Sequence, residues 1–309
     1  MDTGLPTRTL GRTGLEVTTL GYGAMSLDNR FGREISAKEA RTILTAVLDA
    51  GINLIDTSPD YGPSEEMIGA SIAGRRDEYI LATKVGCPVA VETPRGERPQ
   101  HVYTRENIRA AIEQSLRRMN TDHLDIVQFH GSPSAAQLEE HGAIEELREQ
   151  QQTGTIRFIG MSGTIPNLAP QIQLGVFDEF QIPYSALQLE HEELIADAAA
   201  EGAGTVIRGG VARGGPAEDK RWDVRRLPEV DPERPRAVWE RAGIDELLEG
   251  MNRMEFMLRF TLTSPDVHST IVGTADPRHL AANVEAARRG PLPEDLWREA
   301  KRRLVAAGA

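Results

Sequence analysis

Four residues of this sequence are suited to one kind of chemistry: Asp56, Tyr61, Lys84 and His130. A free tyrosine titrates at about 10, too high for efficient proton donation at neutral pH, but a neighbouring ammonium favours its phenolate. Lys84 is expected to supply that charge and to lower the pKa of Tyr61. A partly buried lysine in turn needs a counter-ion to stay protonated, and Asp56 is expected to be it. His130 adds a group that orients a carbonyl oxygen. Such a set matches a reaction in which negative charge develops on oxygen as hydride arrives at carbon, so the chemistry indicated is carbonyl reduction. Each residue alone would pass for an ordinary rim polar group, but four together at consecutive strand ends would not.

What must position them is a set of strand ends. Asp56 closes the run Leu54-Ile55-Asp56, Lys84 follows Ala82-Thr83, His130 follows Gln128-Phe129, and Tyr61 lies on the loop beyond Asp56. Short apolar runs alternate with helical patterns along the chain. Strands are expected at Thr18–Leu20, Asn53–Asp56, Tyr79–Thr83, Ile126–Phe129, Ile156–Met161, Glu179–Ile182, Thr205–Ile207 and Thr270–Val272. Helices are expected at Ala37–Ala50, Glu65–Ala73, Thr104–Met119, Ala143–Gln152, Ile244–Leu262, Arg278–Arg288 and Glu294–Val305, with Gly51 and Gly154 as stop signals and Thr104 as a cap. Strand and helix in alternation, with no clear linker, predict an α/β fold: an eight-stranded parallel β/α (TIM) barrel with an extra C-terminal helix, a single domain over 1–309. Barrel enzymes carry their reactive groups at the C-terminal ends of the strands, which is where all four residues fall. The stretch 208–236 after the seventh strand, rich in Gly, Pro and charge, is expected to be a long loop or lid.

Composition narrows the function classes. A formal net charge of -12 leaves no broad basic surface, so neither nucleic acid nor membrane is expected as a partner. No apolar run approaches a membrane span and the first residues lack a signal-like core, so a cytoplasmic location is expected. Cys87 is the sole cysteine, which excludes an internal disulfide, and its expected role is packing. The seven histidines are scattered, with no H-x-H or H-E-x-x-H pair, so no metal site is expected.

The four residues also resemble, one for one, the Asp, Tyr, Lys and His of the aldo-keto reductases. The resemblance extends through Thr9–Leu15, Leu20–Met25, Asp56–Gly69 with Ser64, Glu65 and Gly69, Gly160-Met161-Ser162, Gln181, and Ile271–Thr274 leading to Leu280 and Asn283. It implies the same barrel, a small-molecule carbonyl substrate, and NADP(H) as cofactor with NAD(H) left open. The G-x-G-x-x-G turn of other dinucleotide-binding folds is absent from any strand-to-helix context, so the cofactor follows from the resemblance and not from spacing. By that resemblance Gly23 and Asp56 line the nicotinamide, and Ser162 and Gln181 hold its carboxamide. The loop from Arg208 to Gly214, with Val211 and Arg213, takes the nicotinamide and pyrophosphate. Gly273, Thr274, Arg278, His279 and Asn283 take the adenosine end.

Three positions depart from the family pattern. Gly163 replaces the Asn common after the strand-five serine. Arg208-Gly209-Gly210-Val211 replaces a stacking aromatic followed by Ser-Pro-Leu, and a guanidinium there is expected to favour the reduced cofactor over the positively charged oxidised one. Asp276 lies beside Arg278 where the ribose phosphate is expected, and would repel it. The loops Gly86–Gln100 and 208–236 are expected to select the substrate. Two other readings stay open: a sugar-pathway keto-reductase or dehydratase, and a cofactor-sensing regulatory subunit with little turnover. Oligomeric state is not legible.

Overall fold

The structure, a computed structural model, describes residues 4–28, 34–89, 100–212 and 234–309. Among the described residues, ten strands are β1 (Thr7–Thr9), β2 (Glu16–Thr18), β3 (Leu20–Gly23), β4 (Leu54–Asp56), β5 (Ile80–Val85), β6 (Leu124–Phe129), β7 (Ile156–Ser162), β8 (Glu179–Pro183), β9 (Gly204–Arg208) and β10 (Ser269–Val272). The helices are α1 (Ala37–Asp49), α2 (Ser64–Ile72), α3 (Arg105–Met119), α4 (Ala135–Glu140), α5 (Ala143–Gln152), α6 (Leu168–Gln173), α7 (Glu192–Ala200), α8 (Arg234–Ala242), α9 (Arg253–Thr263), α10 (Pro277–Arg288) and α11 (Glu294–Ala306). Strands β3 to β10 form a closed parallel barrel in which β10 pairs with both β9 and β3. The expected eight-stranded barrel is thus present, with α11 as the extra C-terminal helix.

Local sequence explains the helix ends. Ser36 accepts from the Glu39 amide while the Glu39 carboxylate accepts from the Ser36 amide, a reciprocal cap that starts α1. Thr104 caps α3 by accepting from Asn107 N, and Asn120 ends it in the left-handed region. The inward faces of α1 (Ala40, Ile43, Leu44, Val47, Leu48) and α3 (Ile108, Ala111, Ile112, Met119) join the apolar layer between helices and barrel.

Several expectations need correction. The first barrel strand is Leu20–Gly23, not Thr18–Leu20, and Thr18 belongs to β2. The β-branched pair Thr18-Thr19 reads as a strand core, whereas Gly21 and Gly23 read as turn residues. In the barrel Gly21 serves close packing: a Cβ there would lie 3.1 Å from Ile271 and 3.3 Å from Leu54. The expected helix Ile244–Leu262 is two pieces, a 3-10 turn at Ile244–Leu247 and α9, because Glu249 and Gly250 take positive φ and Asn252 caps a new start. The stretch 208–236 is not loop throughout: Arg208 ends β9 and residues 234–236 open α8. Its residues 213–233, with Arg213 and Gly214, lie outside the described residues, as do 90–99 of the loop Gly86–Gln100. The helices α4, α6, α7 and α8 lie outside the expected set; α4 and α6 run only six residues, too short to build a clear periodicity, and α8 opens inside the stretch expected as a loop.

The barrel interior changes character along its axis. Because alternate strand residues share a face, Leu54 and Asp56, Ala82 and Lys84, Ile126 and Gln128, and Val206 and Arg208 are successive layers of one surface. The lower layer of Leu54, Ala82, Ile126 and Val206 packs with Leu10, Leu15 and Val17 from the antiparallel β1–β2 hairpin, which plugs the N-terminal end. Gly11 lets the hairpin approach: a Cβ there would fall 2.4 Å from Gly204 N. Above this layer Gln128 Nε2 donates to the buried Glu179 carboxyl at 3.1 and 3.3 Å, and polar residues take over.

Candidate active site

At the C-terminal end the alternation delivers Asp56 and Lys84 onto neighbouring strands, where both are buried. Lys84 Nζ donates to Asp56 Oδ2 at 2.7 Å, to Oδ1 at 2.9 Å and to Thr57 O at 2.9 Å. Its three hydrogens therefore all have acceptors. Burial is the largest single influence and acts to lower the lysine's pKa, but Asp56, Tyr61 and Asp60 together outweigh it, and Lys84 is held above its ordinary value. Gln181 Nε2 donates to Asp56 Oδ2 at 2.8 Å and Ser162 Oγ donates to Gln181 Oε1 at 3.3 Å. Ser162, Gln181, Asp56 and Lys84 are one connected network.

Tyr61 lies on the turn between β4 and α2. Its amide donates to Ser58 O, Ser64 N donates to Tyr61 O, and Ser64 Oγ ties the turn to Ala24 O. Lys84 Nζ lies 5.2 Å from the Tyr61 ring centre, and the His130 ring meets Tyr61 edge-on at 6.0 Å. The expected pKa shift of Tyr61 is corrected in sign. Burial raises it, Lys84 opposes, Asp56 and Asp60 add to the rise, and the phenol is pushed up to about 12. The lysine acts in the expected direction, but burial of the phenol outweighs its charge.

His130 follows β6, its amide donating to Val85 O and its carbonyl accepting from Tyr103 OH at 2.6 Å. Burial lowers the imidazole to about 3, with Lys84, His101 and Arg208 adding to the fall and Asp60 opposing it, so the ring is neutral at physiological pH. Its Nδ1 lies 3.3 Å from Ser58 Oγ, 3.3 Å from Cys87 Sγ and 3.6 Å from Asp60 Oδ1. His101 stands edge-on to it at 4.9 Å. Two expectations are modified here: Cys87, expected to pack, is buried but also has the His130 imidazole against its sulfur, and two of the histidines scattered along the sequence, His101 and His130, meet in space. Asp60, Ser58, His101 and Tyr103 were missed; only Asp60 carried a signal, its adjacency to Tyr61.

The remaining candidate residues are spread around the same mouth. Gly23 and Gly273 end β3 and follow β10, and a Cβ on Gly273 would fall 2.5 Å from Gly23 O. Arg208 pairs with Pro183 and Ile271 across β8 and β10, and its charge favours the Tyr61 phenolate. Val211 is buried in the core, so its side chain is committed to packing. Thr274 O accepts from Tyr22 OH, and Thr274 Oγ1 accepts from Asp276 N. Arg278 does not stand apart from Asp276: its Nη2 lies 2.7 Å from Asp276 Oδ2, and the same carboxylate caps α10 by accepting from Arg278 N. His279 is exposed and Asn283 half-buried on α10. Gly163 is explained by packing, since a Cβ there would meet Gln171 Oε1 at 2.6 Å and Leu168 at 2.8 Å.

Motif residues around the site have structural uses. Glu65 is buried and accepts from Thr83 on β5 and from Ser115 and Arg118 on α3. Gly69 lets α2 meet α3, where a Cβ would lie 2.3 Å from Arg118 O.

Residues 19–303 match the model of the aldo/keto reductase family. The chain belongs to that family. This member is similar to D-threo-aldose 1-dehydrogenase from a Pseudomonas species, 28% identical over 328 residues that cover 94% of this chain and 96% of the relative. It is also similar to an uncharacterized oxidoreductase of Bacillus subtilis, 28% identical with 93% of each chain covered. Among solved structures it is similar to the holo form of an aldo-keto reductase from Bacillus halodurans, with a TM-score of 0.81, 28% identity, and 97% and 96% of the two chains covered. This aldo-keto reductase is therefore an oxidoreductase of a family that generally binds NAD(P)H and acts on small-molecule carbonyl substrates. No helix among the described residues is long and apolar enough to cross a membrane.

Proposed function

We propose that this chain reduces an aldehyde or ketone to the alcohol with NADPH, and that Tyr61 donates the proton. The observation that carries the reading is the buried Lys84–Asp56 pair beneath the Tyr61 ring, with a neutral imidazole beside it. A phenol near 12 is fully protonated at neutral pH, yet remains a stronger acid than an alcohol, whose value lies close to that of water at about 15.7. It therefore holds its proton until an alkoxide forms and then gives it up. Lys84 stabilises the phenolate left behind, and Asp56 keeps Lys84 charged through the cycle. With His130 Nδ1 turned to Ser58 and Cys87, Nε2 is the ring nitrogen that orients the substrate oxygen.

The residues fit a nicotinamide dinucleotide. Gly23 and Gly273 leave bare backbone at the ends of two adjacent strands, and Ser162 and Gln181 converge beside Asp56 with polar groups suited to a carboxamide. Gly23, Asp56, Ser162, Gln181, Arg208 and the backbone at Val211 would hold the nicotinamide half. Gly273, Thr274, Arg278, His279 and Asn283 would hold the adenosine half. When bound, the reduced cofactor supplies the hydride. We assign NADPH because exposed Arg278 and His279 open α10 where the ribose phosphate would arrive; Asp276 offsets part of that charge.

Steady-state reduction of a panel of aldehydes and ketones, wild type against Tyr61→Phe, tests the reading. Loss of the general acid should lower kcat by about 10²- to 10⁴-fold. Unchanged turnover in Tyr61→Phe would remove Tyr61 from the mechanism.

A further inference from the structure

Beside the mouth, four side chains from three segments converge: Asp60 from the β4–α2 turn, Cys87 and His101 from the β5–α3 connection, and His130 after β6. One ligand atom from each lies within 4.8 Å of all the others. We propose that Asp60, Cys87, His101 and His130 form a binding site for a divalent cation of the zinc class, and that its occupancy lowers turnover.

The donor set is thiolate, two imidazoles and one carboxylate, a combination that selects zinc over the oxygen-seeking calcium and magnesium. The spacing fits as well. With Zn–S at 2.3 Å and Zn–N and Zn–O close to 2.1 Å, a tetrahedron has an S···N edge of about 3.6 Å and an N···O edge of about 3.4 Å. Here His130 Nδ1 lies 3.3 Å from Cys87 Sγ and 3.6 Å from Asp60 Oδ1. A second observation points the same way: His101 Nε2 is shut off from solvent and has no hydrogen-bond partner. Burying such a nitrogen unpaired is unfavourable, and a metal ion would satisfy it.

The surroundings hold these groups in place. Gly86 and Gly131 both have positive φ and make room for rings; a Cβ on Gly131 would lie 2.7 Å from His101 Nδ1, and one on Gly86 would lie 2.6 Å from the Tyr103 ring. Asn107 Nδ2 donates to both Cys87 O and Val102 O, pinning together the two segments that carry Cys87 and His101. Tyr103 OH fixes the backbone of His130. Hydrogen bonds that hold the ligand-bearing segments orient ligands and raise affinity.

Binding forms the metal–sulfur bond as the Cys87 thiol proton leaves for solvent. Four protein ligands leave no open position, so the ion is not a catalyst here. It would instead draw Asp60 and His130 toward itself, and Tyr61 follows Asp60 directly in the chain, so its turn would shift with them.

The test uses the full chain stripped with EDTA and titrated with Zn²⁺, and with Co²⁺ as a spectroscopic probe. One equivalent per chain is expected to bind, Co²⁺ giving a thiolate charge-transfer band that Cys87→Ser abolishes. Both Cys87→Ser and His101→Asn should weaken Zn²⁺ binding by about 100-fold or more, with circular dichroism checking that each is folded. Binding with equal affinity in wild type and His101→Asn, or a Co²⁺ spectrum without the thiolate band, would overturn the site. Zn²⁺ should also reduce turnover reversibly, and binding that leaves turnover unchanged would overturn the coupling. Since metal binding is read without substrate, this result is separable from the outcome for Tyr61→Phe.

Discussion

The two ends of the barrel are built from the same strands by opposite chemistry. At the N-terminal end Leu54, Ala82, Ile126 and Val206 close on Leu10, Leu15 and Val17 of the hairpin, and the interior there is held by burial of apolar area. Two residues further along the same strands stand Asp56, Lys84, Gln128 and Arg208, and the interior becomes a chain of charges and amides. One end is sealed and contributes stability. The other is kept polar at a cost in desolvation, which the fold tolerates because the charges are paired and every Lys84 hydrogen is accepted. The division teaches that activity and stability should respond to different mutations on one strand.

The largest separation is expected at Lys84. Lys84→Met leaves Asp56 as an uncompensated buried carboxylate, which should lower stability by about 3–5 kcal/mol in urea denaturation and abolish most turnover. Adding Asp56→Leu should return most of the stability and none of the activity, since a buried pair replaced by apolar groups is often neutral. If the double variant stayed as unstable as the single, the polar end would be contributing to the fold as the apolar end does.

At the sealed end, Leu10→Ala should cost about 2–5 kcal/mol through the cavity it leaves, while kcat and KM at a temperature where the protein is folded stay within about twofold of wild type. A large fall in kcat would mean that the plug also positions the site.

A smaller effect is expected at Arg208, whose charge faces the mouth from the end of β9. Arg208→Ala should tighten NADP⁺ relative to NADPH by several-fold in fluorescence titrations, because a fixed cation disfavours the oxidised ring. Equal changes for both redox forms would show that Arg208 only packs.

The smallest response is expected from pH. Tyr61 is raised to about 12, so the proton donor stays loaded as pH rises through the neutral range and is lost only on strongly alkaline approach to that value. His130 is lowered to about 3 and is neutral well below the usual histidine range. The rate of reduction by EDTA-treated enzyme should therefore be level from about pH 6 to pH 9. An inflection near the ordinary histidine pKa of about 6.5 would show that burial does not keep His130 neutral in solution.

Much of this was legible in the sequence. The strand-end positions of Asp56, Lys84 and His130 follow from local runs such as Leu54-Ile55-Asp56, because a strand's period of two fixes which residues share a face without reference to anything distant. The eight barrel strands follow in the same way, with β3 displaced because its glycines report close packing and not a turn. The division of α9 from Ile244–Leu247 was not legible, since Glu249 and Gly250 interrupt a pattern that is otherwise continuous. Nor was the role of Glu65, whose partners Thr83, Ser115 and Arg118 are remote in the chain.

By itself, then, the sequence determined the alternation of strand and helix, and with it the end of the barrel at which the reactive residues stand. The tertiary structure decided how those residues act on one another. Burial outweighs the ammonium at Tyr61, Asp276 takes up Arg278, and His101, Cys87, Asp60 and His130 meet although up to 70 positions separate them (130 less 60). The physical reason is range: backbone periodicity is set by immediate neighbours, whereas desolvation and Coulomb interaction depend on whatever the closed barrel brings within a few ångströms.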